Sequence, residues 1–135
     1  MLIHATCVAI GGRGVLVAGP SGAGKSDLAL RLIDRGAILV ADDQTELTAV
    51  DSRLLAAVPD SIAGKIEVRG IGIVGMIHRS PMPVALLVDL VAAVERMPEP
   101  RTRDLCGVNI PTVSIKPFEA TAPIKAELAL KEFGL

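Results

Sequence analysis

Residues Gly19-Pro20-Ser21-Gly22-Ala23-Gly24-Lys25-Ser26 leave this chain few choices of fold. They match G-x-x-x-x-G-K-S in full, a pattern whose glycines let successive backbone N–H groups turn inward around an anion. Lys25 supplies a mobile point charge for β- and γ-phosphates, and Ser26 a hydroxyl for Mg²⁺, a hard ion that takes oxygen ligands. The loop belongs between an apolar strand and the positive N-terminal end of a helix. Both neighbours are present. Val15 to Ala18 is an apolar run, and from Ser26 to Arg35 the residues Leu28, Ala29, Leu32 and Ile33 recur at helical spacing before Gly36. The expectation is an α/β P-loop nucleotide-binding domain that holds the phosphates of ATP with Mg²⁺.

The remaining pattern fits a mixed β-sheet with few helices. The 135 residues suffice for one domain, taken as 1–135. Half of them are hydrophobic, yet there are two Phe and no Tyr or Trp, so the core must be aliphatic, as inner strands of parallel or mixed sheets are. Ile3 to Ile10 and Val15 to Ala18 flank the hairpin signal Gly11-Gly12-Arg13-Gly14. Strands are also expected at Ile38 to Ala41, at Glu46 to Val50 and Leu54 to Val58 around Asp51-Ser52, and at Val84 to Val91. Asp60 to Gly64 reads as a loop or one helical turn. Glu67 to Ile77 reads as one strand, bent or approached by a ligand at its glycines. Glu95 to Asp104, with Pro98 and Pro100, reads as an exposed loop; Val108 to Ile115, interrupted by Pro111, as an edge strand; Lys125 to Phe133 as a closing helix.

The same composition excludes several functions. A net charge of −1 gives no electrostatic footprint for nucleic acid, and the missing aromatics remove a base-stacking platform. The N-terminus has no basic n-region, and no apolar run approaches the roughly 18 residues of a membrane span. The expectation is a cytoplasmic protein without membrane contact. Cys7 and Cys106 form no CxxC and read as reduced thiols in the core.

A P-loop needs a carboxylate near its Mg²⁺, usually at the end of an apolar strand. Ile38-Leu39-Val40-Ala41-Asp42-Asp43 and Val84-Ala85-Leu86-Leu87-Val88-Asp89 both offer one. The first supplies two, and is preferred. In an extended chain adjacent side chains point to opposite faces, so Asp42 and Asp43 reach one site only where the strand ends and turns. One could then reach the metal and the other take a proton from an incoming hydroxyl. From spacing alone, His4 reads as a structural histidine in a strand, and Glu67 and Arg69 as a pair on one strand face.

Four stretches in this order resemble one family, the bacterial HPr kinase/phosphorylases, and specifically their catalytic domain. They are Ile3-His4, Gly19 to Ser26 with Asp27-Leu28-Ala29-Leu30, Val40-Ala41-Asp42-Asp43, and Glu67-Val68-Arg69-Gly70-Ile71-Gly72-Ile73. The last resembles the signature E-I-R-G-x-G-I, and Gly107-Val108-Asn109-Ile110-Pro111 extends the likeness. The resemblance implies a short form made of the catalytic domain only. It implies an ATP- and Mg²⁺-dependent kinase acting on a serine of HPr, the phosphocarrier of the sugar phosphotransferase system, with reversal by phosphorolysis. It implies that Asp43 is the base of the forward step and the acid of the reverse, with Asp42 beside it and His4 in the active site. It also implies that Glu67 joins Ser26 as a Mg²⁺ ligand, and that Arg69, Gly70 and Gly72 belong to the signature segment. Two departures are visible. Gln44 stands where the family usually has Arg, and Lys116 to Pro123 holds no arginine where long forms carry a late active-site one. Phosphorolysis and the homo-hexamer of long forms therefore stand apart from the kinase reading. Two rivals remain at this level: a small-metabolite kinase with Arg96, Arg101 and Arg103 as a lid, and a nucleotide-sensing module without catalysis.

Overall fold

The computed structural model describes residues 1–135. Strand β1 (Leu2–Ile3) breaks at His4 and the chain continues as β2 (Ala5–Ile10). β3 (Arg13–Ala18) returns antiparallel to β2, with Cys7 opposite Leu16, and runs into the glycine loop and helix α1 (Lys25–Asp34). The α1 helix closes as the glycine at its end allows: the N–H groups of Gly36 and Ala37 donate to the carbonyls of Ile33 and Leu32. Then come β4 (Ile38–Ala41), β5 (Thr45–Val50) and β6 (Arg53–Ala57), a 3-10 turn at Asp60–Ile62, and β7 (Lys65–Val68) with β8 (Gly72–Gly75). β9 (Met82–Leu90), β10 (Arg101–Leu105), β11 (Val108–Ile115) and α2 (Ala122–Phe133) complete the chain.

The large sheet runs β1-β5-β6-β9-β3-β2-β4, with β11 on β9 and β10 beyond it; β7 and β8 form a separate hairpin. β3, β9 and β11 are parallel neighbours, Val17 opposite Val88 and Val88 opposite Val113. Their carboxyl ends therefore open on the same edge, the edge that carries the glycine loop. Val15, Val17, Leu86 and Val88 pack with Leu28, Leu32, Ala126 and Leu130 of the helices. Leu16 and Leu87 face the other way, toward Leu47, Leu54 and Ile110. Both faces of the central strands are covered, which is why those strands read as unbroken apolar runs and not as alternation. This is the mixed-sheet P-loop α/β fold that the sequence implies.

Four local expectations need correction. Glu67 to Ile77 is not one strand: Gly70, with φ 87, turns the chain, and Val68 lies opposite Gly72. Ile66 anchors the resulting hairpin in the helical core, so Glu67 projects on the other side toward the loop. The expected loop Glu95 to Asp104 is half strand, because β10 pairs with β11 through a turn at Cys106-Gly107, both with positive φ. β11 is accordingly not an edge. Pro111 still follows the edge rule, since it pairs only with Thr102 of β10 and the pairing to β9 starts at Thr112. Both cysteines are free thiols as expected, but only Cys7 is in the core; Cys106 is exposed at its turn.

Candidate active site

β4 ends at Ala41, and the next two residues leave the sheet beside the glycine loop. Asp42 is buried and held on three sides. Its Oδ1 accepts the hydroxyls of Ser26 at 2.6 Å and Thr6 at 3.0 Å, and its Oδ2 accepts the backbone N–H of Glu67 at 3.0 Å. Asp43 takes φ 67, a left-handed conformation that Asp tolerates better than most residues. Its N–H donates to Thr6 Oγ1 at 3.0 Å. The strand alternation is thereby broken, and both carboxylates face the loop. The Asp43 carboxylate is half exposed, with Oδ1 2.6 Å from His4 Nε2 and 3.7 Å from Lys25 Nζ.

Lys25 is buried at the start of α1, its Nζ donating to the carbonyls of Gly19 at 2.9 Å and Pro20 at 3.1 Å. Gly24 precedes the helix with φ 100, and a Cβ there would meet the Phe118 ring at 3.0 Å, so only glycine serves. The loop borders a cleft of about 520 Å³. It is lined by Ser21, Gly22, Gly24, Lys25 and Ser26 of the loop, by Asp43, by Glu67 and Arg69 of the β7–β8 hairpin, and by Phe118. The hairpin's placement thus brings Glu67 and Arg69 into the site. Gly70 and Gly72 shape the turn and do not line the cleft, and Pro20 and Ala23 face away from it. His4 and Asp42 act on the cleft through Asp43 and Ser26.

No three His, Cys, Asp or Glu residues converge to cage a metal. Mg²⁺ keeps most of its waters and takes one or two protein oxygens plus substrate phosphates, so it does not require such a cage. Ser26 Oγ against Asp42 Oδ1, with Glu67 across the cleft, is a donor set of that chemistry.

Sequence reading missed three residues. Thr6 joins Asp42 to Asp43 and is fully buried; in the sequence its only signal is a lone hydroxyl in an otherwise apolar strand, two residues after His4. Phe118 carries no local signal of a site, standing in a segment that lacks arginine. Arg31 reaches from α1 to the carbonyls of Pro117 and Glu119, which fixes the segment that carries Phe118. Asp89, the alternative strand-end carboxylate, lies outside the cleft and 3.9 Å from Arg101. Arg101 also donates to Ser114, so it is engaged on β11 and not poised over the loop.

A glycine loop between strand and helix, a lysine buried in it and two strand-end carboxylates turned toward it define a P-loop domain of the phosphotransferase type. A family model described as the HPr Serine kinase C-terminal domain matches residues 1–125, and the chain belongs to that family, whose named members are enzymes. It is 35% identical over 127 residues to an HPr kinase/phosphorylase of Lactobacillus acidophilus, covering 84% of this chain and 39% of that protein. It is 36% identical over 129 residues to one from Clostridium acetobutylicum, covering 91% of this chain and 42% of that one. The chain thus spans about two fifths of the length of these relatives. A solved structure of the Hpr(Ser) kinase/phosphatase from Coxiella burnetii superposes with a TM-score of 0.81 at 30% identity, covering 97% of this chain and 94% of that one. No helix is long and apolar enough to cross a membrane.

Proposed function

We propose that residues 1–135 act as one catalytic domain that transfers the γ-phosphoryl group of ATP, with Mg²⁺, to a serine of HPr. The observation that carries this reading is the position of Asp43: an accessible carboxylate 3.7 Å from the loop lysine, on the cleft that the loop borders. The named relatives supply the acceptor.

In the forward direction the loop N–H groups and Lys25 would hold the phosphates, and Ser26, Asp42 and Glu67 would hold Mg²⁺, whose charge would offset that of the phosphates. Asp43 takes the proton from the serine hydroxyl as its oxygen bonds to the γ-phosphorus and the bond to the β-phosphate oxygen breaks. His4 and the Thr6 hydroxyl fix where that carboxylate stands. Asp43 is left protonated. In the reverse direction inorganic phosphate attacks the phosphoserine, pyrophosphate forms, and Asp43 returns the proton to the departing serine oxygen. One carboxylate can serve both directions because each requires a proton transfer at the same serine oxygen: Asp43 accepts that proton in the forward step and is then the acid that returns it in the reverse.

The test is incubation of purified HPr with this protein, labelled ATP and Mg²⁺, followed by mapping of the label. Label on a serine supports the reading. Nucleotide binding without labelled HPr would discard the acceptor and leave a P-loop phosphotransferase with another substrate.

A further inference from the structure

The cleft beside the active site is not the only one bordered by the glycine loop. A second, of about 540 Å³, lies on the loop's other side and meets the first at Phe118. It sits where β3, β9 and β11 end, walled by Pro20 and Ala23 of the loop, by Val91 and Ala92 after β9, and by Pro117 and Phe118 after β11. Crevices outside the carboxyl ends of parallel strands are where open α/β sheets bind ligands, and this volume lies within the ~300–1,000 Å³ of small-molecule sites.

Its chemistry differs from that of the first cleft. The only charged side chains on it are Lys116 and Glu119, which stand 4.0 Å apart as an exposed pair. The rest is apolar. Such a surface suits a flat uncharged group better than a phosphate, since its one cation, Lys116, already faces Glu119. Phe118 stands at the junction with 70% of its surface exposed, although the chain has only two phenylalanines. It is also held in place, by Arg31 beneath its neighbours and by contact with Gly24. An exposed aromatic ring fixed between a phosphate-binding wall and an apolar wall has the position of a base-stacking residue.

We propose that this second cleft binds the purine base of the nucleotide whose phosphates the loop holds, with the Phe118 ring stacked on the base. The inference rests on the nucleotide reading above. Lys116 and Glu119 form no fixed donor–acceptor pattern, so shape and stacking recognise the base, and ATP and GTP bind with similar affinity.

Calorimetry with Mg²⁺ compares ATP with inorganic tripolyphosphate, which has the phosphates and no base. ATP is expected to bind about five- to a hundredfold more tightly, the range of one base stacked on an aromatic ring. Ala92→Trp fills the cleft and is expected to bring ATP to the affinity of tripolyphosphate while leaving the latter unchanged. Equal affinities in the native protein, or an Ala92→Trp variant that binds ATP normally, overturns the base site and leaves the phosphate loop standing. Binding of neither ligand overturns the nucleotide reading and the base site with it. If Ala92→Trp loses both ligands, Phe118→Trp decides: the chain has no other Trp or Tyr, so its indole reports alone. Quenching by ATP and not by tripolyphosphate supports the site; the same response to both overturns it.

Discussion

Replacing Asp43 by Asn separates charge from shape. Asparagine tolerates the left-handed backbone at this position (φ 67) about as well as aspartate, so the turn that breaks the strand survives. The backbone N–H bond to Thr6 does not involve the side chain and is kept. What is lost is the proton acceptor. A positioned general base contributes about 10²–10⁴ in rate, so kcat for phosphorylation of HPr should fall by that factor, about 3–5 kcal/mol in barrier. Binding of ATP should move the other way. The Asp43 carboxylate lies 3.7 Å from Lys25 and is half exposed, so a water-like dielectric applies and its attraction to the lysine is about 1 kcal/mol. Removing it frees that much for the phosphates, and ATP should bind up to about fivefold more tightly. Single-turnover transfer from labelled ATP gives the rate, and calorimetry the affinity. A variant that keeps kcat within about fivefold of the native value would refute the role of Asp43. A variant that loses ATP affinity in proportion to rate would show that Asp43 holds the nucleotide instead.

Other groups give independent checks. Thr6→Val keeps shape and deletes the hydroxyl that joins the two aspartates; with two bonds gone in a buried site it should cost about 1–3 kcal/mol in denaturant unfolding and lower kcat more than it raises KM. Asp42→Ala leaves the Ser26 and Thr6 hydroxyls and the Glu67 N–H without their acceptor, so a stability loss of about 2–4 kcal/mol and weaker Mg²⁺ dependence of nucleotide binding are expected by calorimetry over a Mg²⁺ series. Cys7, fully buried, has its thiol pushed up to about 12 by desolvation, against a weaker opposing hydrogen bond from the Val15 backbone. The folded thiol thus titrates above the unfolded one: its contribution is complete below about pH 9 and is lost as pH rises toward 12. The part of the unfolding free energy that declines over that window should shrink by up to about 4 kcal/mol in Cys7→Ala. At pH 8 a thiol reagent should modify Cys106 alone in the native protein and both cysteines after unfolding.

Much of this was legible in the chain because it depends on neighbours in sequence. The eight residues from Gly19 to Ser26 carry their own chemistry, and their place between an apolar strand and an amphipathic helix follows from hydrophobic periodicity. The runs Val15 to Ala18 and Val84 to Val88 show strands covered on both faces. That Asp42 and Asp43 must turn to share a site was also readable, since an extended strand forbids it. The hairpin at Gly70 was not read correctly, because a glycine inside an apolar run signals a bulge, a close approach or a turn equally well. Likewise β10 is too polar to look like a strand; its pairing with β11 makes it one.

The sequence by itself determined the phosphate loop, the aliphatic mixed sheet and the carboxylates available to them, since each is a matter of residue type at fixed spacing. Only the tertiary structure decided which groups meet. Thr6 lies 36 residues from Asp42, Glu67 25 residues beyond it, and Arg31 nearly ninety from the segment it supports. Contacts at such separations depend on strand order and on where the β7–β8 hairpin packs, and no local pattern encodes that. The exposure of Phe118 between two clefts belongs to the same class: its position follows from β11 and β3 ending on the same edge of the sheet with β9 between them, an arrangement that exists only once the sheet has formed.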